Sequence, residues 1–243
     1  MSKIFPKFVY DFHGSYGEEQ IFESLKSMDD SWTIFHSINW QKRNTNGKIS
    51  WGEADFVIMH KSYGILDVEV KSGGISFKEG EWYQTRLDTG ETNKMKNPFN
   101  QANRSKYKFR ELFENKFGLS EKIFVEKIVW FPSVLQSELD SIVLPQEYDK
   151  RLILTSDSLY NPEKAIIGAY NYYNSTRFNQ ISDHAYKEAF NILLPEFNLI
   201  PSLSGKNEEI NYRFNQLTRE QEKILDFIEF QNTVAIEGGA GTG

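Results

Sequence analysis

Cysteine is absent from the chain, so neither a disulfide nor a cysteine-ligated zinc can contribute to its fold or chemistry. Histidine is nearly as scarce, and His13, His36, His60 and His184 fall at no spacing that ligates a metal. No apolar run approaches the length needed to cross a bilayer, and the first residues carry no secretory pattern. The expectation is a cytoplasmic protein with no membrane partner. Positive charge is in deficit too: 28 lysines and arginines face 34 aspartates and glutamates, a net charge of −6. Any nucleic-acid surface must therefore be local rather than a property of the whole. With 243 residues, the chain is long enough for one sizeable core, alone or with an appendage.

What is present concentrates between residues 51 and 71. Trp51-Gly-Glu-Ala-Asp55-Phe-Val-Ile-Met-His60, a Tyr-Gly turn, and Ile65-Leu-Asp67-Val-Glu69-Val-Lys71 predict a strand hairpin. Alternate residues of a strand share a face, so Asp67, Glu69 and Lys71 project one way and Leu66, Val68 and Val70 project into a core. A register that brings Asp55 onto the charged face gives two carboxylates able to hold a hard divalent cation beside a lysine, the parts of phosphodiester hydrolysis. The plain alternative is a half-solvated strand of an antiparallel sheet.

Two further segments flank the hairpin. Ile21, Phe22, Leu25 and Met28 form one helical stripe with Glu18 at its head; that carboxylate either caps its own helix or reaches a buried cation. Downstream, Asn97-Pro98 opens a second helix, where Gln101 either touches a metal-bound water or phosphate or is solvated. That helix region holds Lys94, Lys96, Arg104, Lys106, Lys108, Arg110 and Lys116 against Glu111 and Glu114. Interleaved with Phe99, Tyr107, Phe109 and Phe113, these cations read as a solvated face or as a phosphate-binding stripe.

Gly17-Glu18, Gly52-Glu-Ala-Asp55, Val68-Glu69-Val-Lys71 with Gly73-Gly74-Ile75 and Trp82, and Asn97-Pro98 with Gln101-Ala102 together resemble the NERD (nuclease-related) domain, over about residues 10–135. That family is similar to the PD-(D/E)xK, restriction-endonuclease-like superfamily. The resemblance implies metal ligation by Asp55 and Glu69, with Mg²⁺ or Mn²⁺ as the cofactor. It also implies a water-orienting role for Lys71, supporting roles for Glu18 and Gln101, and DNA as the partner. The family's frequent Gln-Ile-Asp is here Glu53-Ala54-Asp55, which keeps the aspartate.

A second signature closes the chain. Gln216-Leu-Thr218-Arg-Glu-Gln221 predicts the start of an amphipathic helix capped through Thr218 and Gln221. An apolar strand then runs into Gly238-Gly-Ala-Gly241-Thr242-Gly243. This resembles the opening of a superfamily 1, UvrD-like helicase, with Gln221 reading adenine and Gly238, Gly241, Thr242 and Gly243 beginning a phosphate loop. The lysine and hydroxyl residue that complete such a loop are absent. ATP would thus serve only a longer protein with the helicase domain in cis, and no ATPase activity is expected of this chain.

The expected fold is α/β: a restriction-endonuclease-like core with a central mixed β-sheet flanked by helices, plus the start of a P-loop helicase domain. Strands are predicted near 127–131 and 152–154, helices near 159–174 and 183–194. The expected organisation is a nuclease-like domain with a helical extension over 1–194, a linker over 195–215 and the helicase start over 216–243. The expected function is metal-dependent DNA cleavage within a nuclease-helicase protein of DNA repair or foreign-DNA defence. The alternatives are a non-catalytic nucleic-acid-binding module and an oligomerisation module, the latter a homo-oligomer.

Overall fold

The computed structural model describes residues 1–12, 14–43, 48–118, 122–174, 180–196, 208, 210–219 and 223. The chain forms two compact units, Met1–Pro195 and Glu196–Gly243.

The first unit is built on a six-stranded mixed sheet in the order β1 (Lys3–Phe5), β2 (Trp32–Arg43), β3 (Ile49–His60), β4 (Gly64–Val70), β8 (Val125–Phe131), β9 (Ile153–Thr155). β2, β3 and β4 form an antiparallel meander, whereas β1–β2, β4–β8 and β8–β9 are parallel. Between β4 and the next helix the chain inserts a small antiparallel sheet, β5 (Gly74–Lys78), β6 (Glu81–Thr85) and β7 (Thr92–Met95). Its first hairpin turns on Glu79-Gly80, both at positive φ (51° and 78°), as a two-residue turn matched to strand twist requires.

Helices cover both faces. α1 (Tyr16–Lys26) and α4 (Pro162–Asn174) set Ile21, Phe22, Leu25, Ile166 and Tyr170 against Phe56, Leu66, Val68 and Trp130. On the other side, α2 (Pro98–Phe117) and α5 (Asp183–Leu193) set Phe109, Phe113, Ala185 and Ala189 against Phe35, Val57, Ile65 and Val125. The ends of α2 are fixed locally. Asn97 accepts from the N–H groups of Phe99 and Asn100 at 3.0 and 3.2 Å, Pro98 occupies the first turn, and Gly118 at φ 60° donates to the Glu114 carbonyl. A six-residue α3 (Gln136–Ser141) follows β8.

The mixed sheet between helical layers agrees with the restriction-endonuclease-like core expected from the sequence. The plain alternative does not hold: β4 is buried along its whole length, not half-solvated. Its neighbours β3 and β8 close both edges, and α1, α2 and α4 pack over its faces, so Asp67 and Glu69 are enclosed at 1% and 2% exposure.

In the second unit residues 210–219 are helical. Thr218 lies inside that helix and donates to the Phe214 carbonyl at 3.0 Å, a back-bond to the preceding turn rather than the expected N-cap. Gln221, Gly238, Gly241, Thr242 and Gly243, the nucleotide-binding candidates, lie outside the described residues.

Candidate active site

The site sits where β3 and β4 part. Their register runs from His60↔Gly64 to Phe56↔Val68 and stops; one step further it sets Asp55 opposite Glu69. Beyond that point β4 stays paired only to β8, through Lys71 N–H to the Trp130 carbonyl at 3.0 Å. The N–H of Val70, which the β3 ladder no longer reaches, donates instead to Asp55 Oδ2 at 2.6 Å. Asp55 thus fills the opening of a fork in the sheet.

The opposite edge of β3 is distorted at the same level. β2 pairs His36 with Phe56 and Ile38 with Ala54 but passes over Ser37 and Asp55. Ser37 has φ 59°, a left-handed value that is uncommon outside glycine, and its hydroxyl donates to Glu53. The ladder is interrupted on both sides of Asp55, which frees its side chain from a regular sheet position.

Lys71 Nζ lies 2.5 Å from Glu69 Oε1. Burial pushes the Glu69 carboxyl up and Lys71 opposes that, while Glu18 and Glu53 add to it. Asp55 is pushed up to about 8, first by burial and then by the charge of Glu69, against Lys71 and the Val70 N–H. Each carboxyl raises the other's affinity for a positive charge, and a cation placed between them would relieve the repulsion that burial magnifies.

Glu18 reaches this fork from α1 because Gly17 lets the helix come close. A Cβ at Gly17 would stand 2.6 Å from Ser72 Cβ and 2.8 Å from Pro132 Cγ, contacts that no side chain tolerates. Glu18 Oε2 meets His36 Nε2 at 3.1 Å. Burial raises the Glu18 carboxyl, but hydrogen bonds with His36 and Ser15 and the nearby Lys71 outweigh it and hold the group below its ordinary value. The side chain of Glu18 therefore binds His36 rather than only capping its own helix.

His36 gave no signal in the sequence. It is 7% exposed, enclosed by the rings of Phe12, Phe22 and Phe56, and its role follows from the pairing of β2 with β3. Gly73 was legible as a motif without its cause: at φ 85°, a Cβ there would lie 2.3 Å from the Thr85 carbonyl oxygen. That close approach ties the three-stranded sheet to the end of β4, reinforced by Gln84 Nε2 donating to the Ser72 carbonyl at 2.6 Å.

Gln101 is half-buried in the early turns of α2. One turn later Ser105 donates to the Glu53 carbonyl at 3.2 Å and accepts from Trp40 Nε1 at 3.0 Å. Because residues four apart share a helix face, Gln101 belongs to the face that α2 presents toward β3. Asp67 is different. Both its oxygens are buried with no hydrogen-bond partner among the described residues, and burial followed by the charges of Glu69 and Asp55 push it well above the usual carboxylate range, against Lys127.

The basic stripe is less free than its sequence suggests. Lys94 pairs with Glu81, Lys106 with Glu126, Lys108 with Glu111 and Arg110 with Glu114. Two of these acids, Glu81 and Glu126, come from other elements. Lys96 and Arg104 are exposed.

Among the described residues no group of three or more histidines, aspartates and glutamates is arranged to hold a metal, and no helix is long and apolar enough to cross a membrane. No curated protein and no solved structure matches the chain. Residues 13–132, the stretch that carries Glu18, His36, the forked strands and α2, match the model of NERD, the nuclease-related domain.

Proposed function

We propose that this nuclease-related unit is a Mg²⁺- or Mn²⁺-dependent nuclease of the PD-(D/E)xK kind that hydrolyses DNA phosphodiesters. The observation that carries the reading is the fork, where Asp55 and Glu69 are the first residues beyond the last β3–β4 pair Phe56↔Val68, Asp55 accepts from the Val70 N–H at 2.6 Å and Lys71 Nζ lies 2.5 Å from Glu69 Oε1. The donor set fits a hard cation: it is all oxygen, and burial has pushed both carboxyls toward protonation. Two protein carboxylates, with water and substrate phosphate completing the shell, suit Mg²⁺ better than a closed protein cage does. Such an ion supplies charge neutralisation on phosphate oxygens and acidifies bound water.

The chain's own groups do the rest. Asp55 and Glu69 would hold the ion. Lys71 gives one ammonium N–H to Glu69 and keeps two others, which orient the attacking water in line with phosphorus. Glu18, fixed by His36, holds negative charge at the rim. Gln101 serves as a neutral donor toward phosphate, and the exposed Lys96 and Arg104 form a secondary phosphate contact to which the ion-paired Lys94, Lys106, Lys108 and Arg110 add little. In this reading the unit works in the cytoplasm, in DNA repair or foreign-DNA defence. The Gln221 and Gly238–Gly243 motifs belong to an ATP-dependent helicase domain in cis.

Labelled linear, circular and single-stranded DNA incubated with Mn²⁺, and with chelator, tests this directly. Lys71→Ala should lose about 100-fold or more of the cleavage rate with nearly unchanged DNA affinity, because the lysine acts mainly in the transition state. Cleavage that persists in chelator, or full cleavage by Lys71→Ala in a preparation free of contaminating nuclease, would refute the assignment. DNA binding without cleavage by the parent chain would leave a non-catalytic binding module, and a stable oligomer with neither activity would leave an oligomerisation module.

A further inference from the structure

Residues 6–12, 14 and 15, between β1 and α1, form a rim around which three concavities meet. One contains Glu18, His36, Glu53 and Asp55. The second contains Tyr10, Tyr16 and Glu19, and the third contains Tyr16, Ser72, Gly73 and Arg86. Ser15 lines all three, so they adjoin as one trough running from Asp55 to the residues that follow Lys71.

The trough is acidic. Asp11, Glu18, Glu19, Glu53 and Asp55 line its first two parts, and Arg86 in the third is paired with Asp88 at 2.8 Å. The cations of α2 are mostly engaged with carboxylates. A nucleic-acid strand lying in this trough would therefore gain little from phosphate neutralisation outside the metal position, and its affinity has to come from an uncharged contact.

That contact is aromatic. Tyr10 is 101% exposed and Tyr16 65%, and among the described residues neither ring stacks on another. Exposed tyrosines present large, rigid faces at small entropic cost. Stacking on a base depends little on sequence and little on charge, but it requires a base that is not already stacked in a duplex. We infer that Tyr10 and Tyr16 form a base-stacking subsite beside the fork, which selects unpaired nucleic acid as the substrate. The inference rests on the nuclease reading above and names the substrate class of that same site.

The test measures binding by the full chain in EDTA, using fluorescence anisotropy of a short labelled single strand, its duplex, and the same strand with its bases replaced by abasic sites. The single strand should bind about ten-fold or more tightly than the duplex, and the abasic strand should lose about five- to 100-fold. Tyr10→Ala and Tyr16→Ala should each remove part of the preference, and tryptophan at either position should restore it. Binding should weaken only shallowly with salt, in proportion to one or two phosphate contacts. Equal affinity for duplex and single strand, or no penalty for the abasic strand, overturns the subsite whatever the variants do, since the abasic probe leaves the protein intact. Cleavage in Mn²⁺, run in parallel, separates the two claims. Cleavage of duplex with no abasic penalty removes the subsite and keeps the nuclease, whereas an abasic penalty with no cleavage of any substrate keeps the subsite and removes the nuclease.

Discussion

Asp55→Asn should make the metal-free protein more stable at alkaline pH. In the folded chain Asp55 is pushed from an ordinary 3.8 to about 8, by burial first and by Glu69 second. Unfolded, it ionises at its ordinary value. Between about pH 4 and pH 8 the unfolded chain has released this proton while the folded chain retains it, so stability falls as pH rises through that window. At 1.36 kcal/mol per pH unit the ceiling is about 6 kcal/mol. Glu69 shares the titration and Asp55 keeps partial water contact, so about 2–3 kcal/mol at pH 8 is the working expectation. Asparagine removes the titration and still offers Oδ1 to the Val70 N–H, which now donates to Asp55 at 2.6 Å.

Urea denaturation followed by tryptophan fluorescence reads this out. The variant should exceed the parent by about 2–3 kcal/mol at pH 8 and by about 1 kcal/mol at pH 5. Divalent cation should close the gap at about 100 times Kd and reverse the order at about 1,000 times Kd. If it binds the folded parent at Asp55, a concentration of about 100 times Kd adds about 2.7 kcal/mol to the parent and little to the variant. That increment should grow with pH, because the cation displaces the proton shared at the fork. Parallel pH profiles for the two proteins, or a variant less stable than the parent at pH 8, would show that Asp55 does not titrate as the fork geometry requires.

Gly17→Ala should cost about 1–3 kcal/mol, since its Cβ would stand 2.6 Å from Ser72 Cβ; cleavage should fall further than stability as α1 carries Glu18 away, and unchanged activity would remove Glu18 from the site. Glu79→Asn should stabilise the β5–β6 hairpin by a few tenths to about 1 kcal/mol, because φ 51° at this position suits asparagine better; a lower melting temperature would contradict the turn assignment.

The sequence made the neighbourhood of the candidate site residues legible but not their electrostatic state. Asp55, Glu69 and Lys71 could be placed on adjoining strands because a strand's alternation and a short turn are local properties. The same alternation, charged residues on one face and apolar on the other, described a half-solvated strand equally well. What decided between them was the parallel partner β8, about sixty residues away in the register Ile65↔Val125, together with the helices packed on both faces. His36 was invisible for the same reason: its partner Glu18 is on α1 and its neighbour Phe56 is on β3, and nothing in residues 32–43 announces either. The insert β5–β7 was missed as structure, although its glycines were recognised, because its strands have only four or five residues. The basic stripe shows the converse error. Charges counted over residues 94–116 gave a surplus, yet Glu81 and Glu126 arrive from β6 and β8 to pair with Lys94 and Lys106. A local count overstates phosphate affinity wherever the fold brings acids from a distance, and here it leaves aromatic faces, rather than cations, as the open binding chemistry beside the fork.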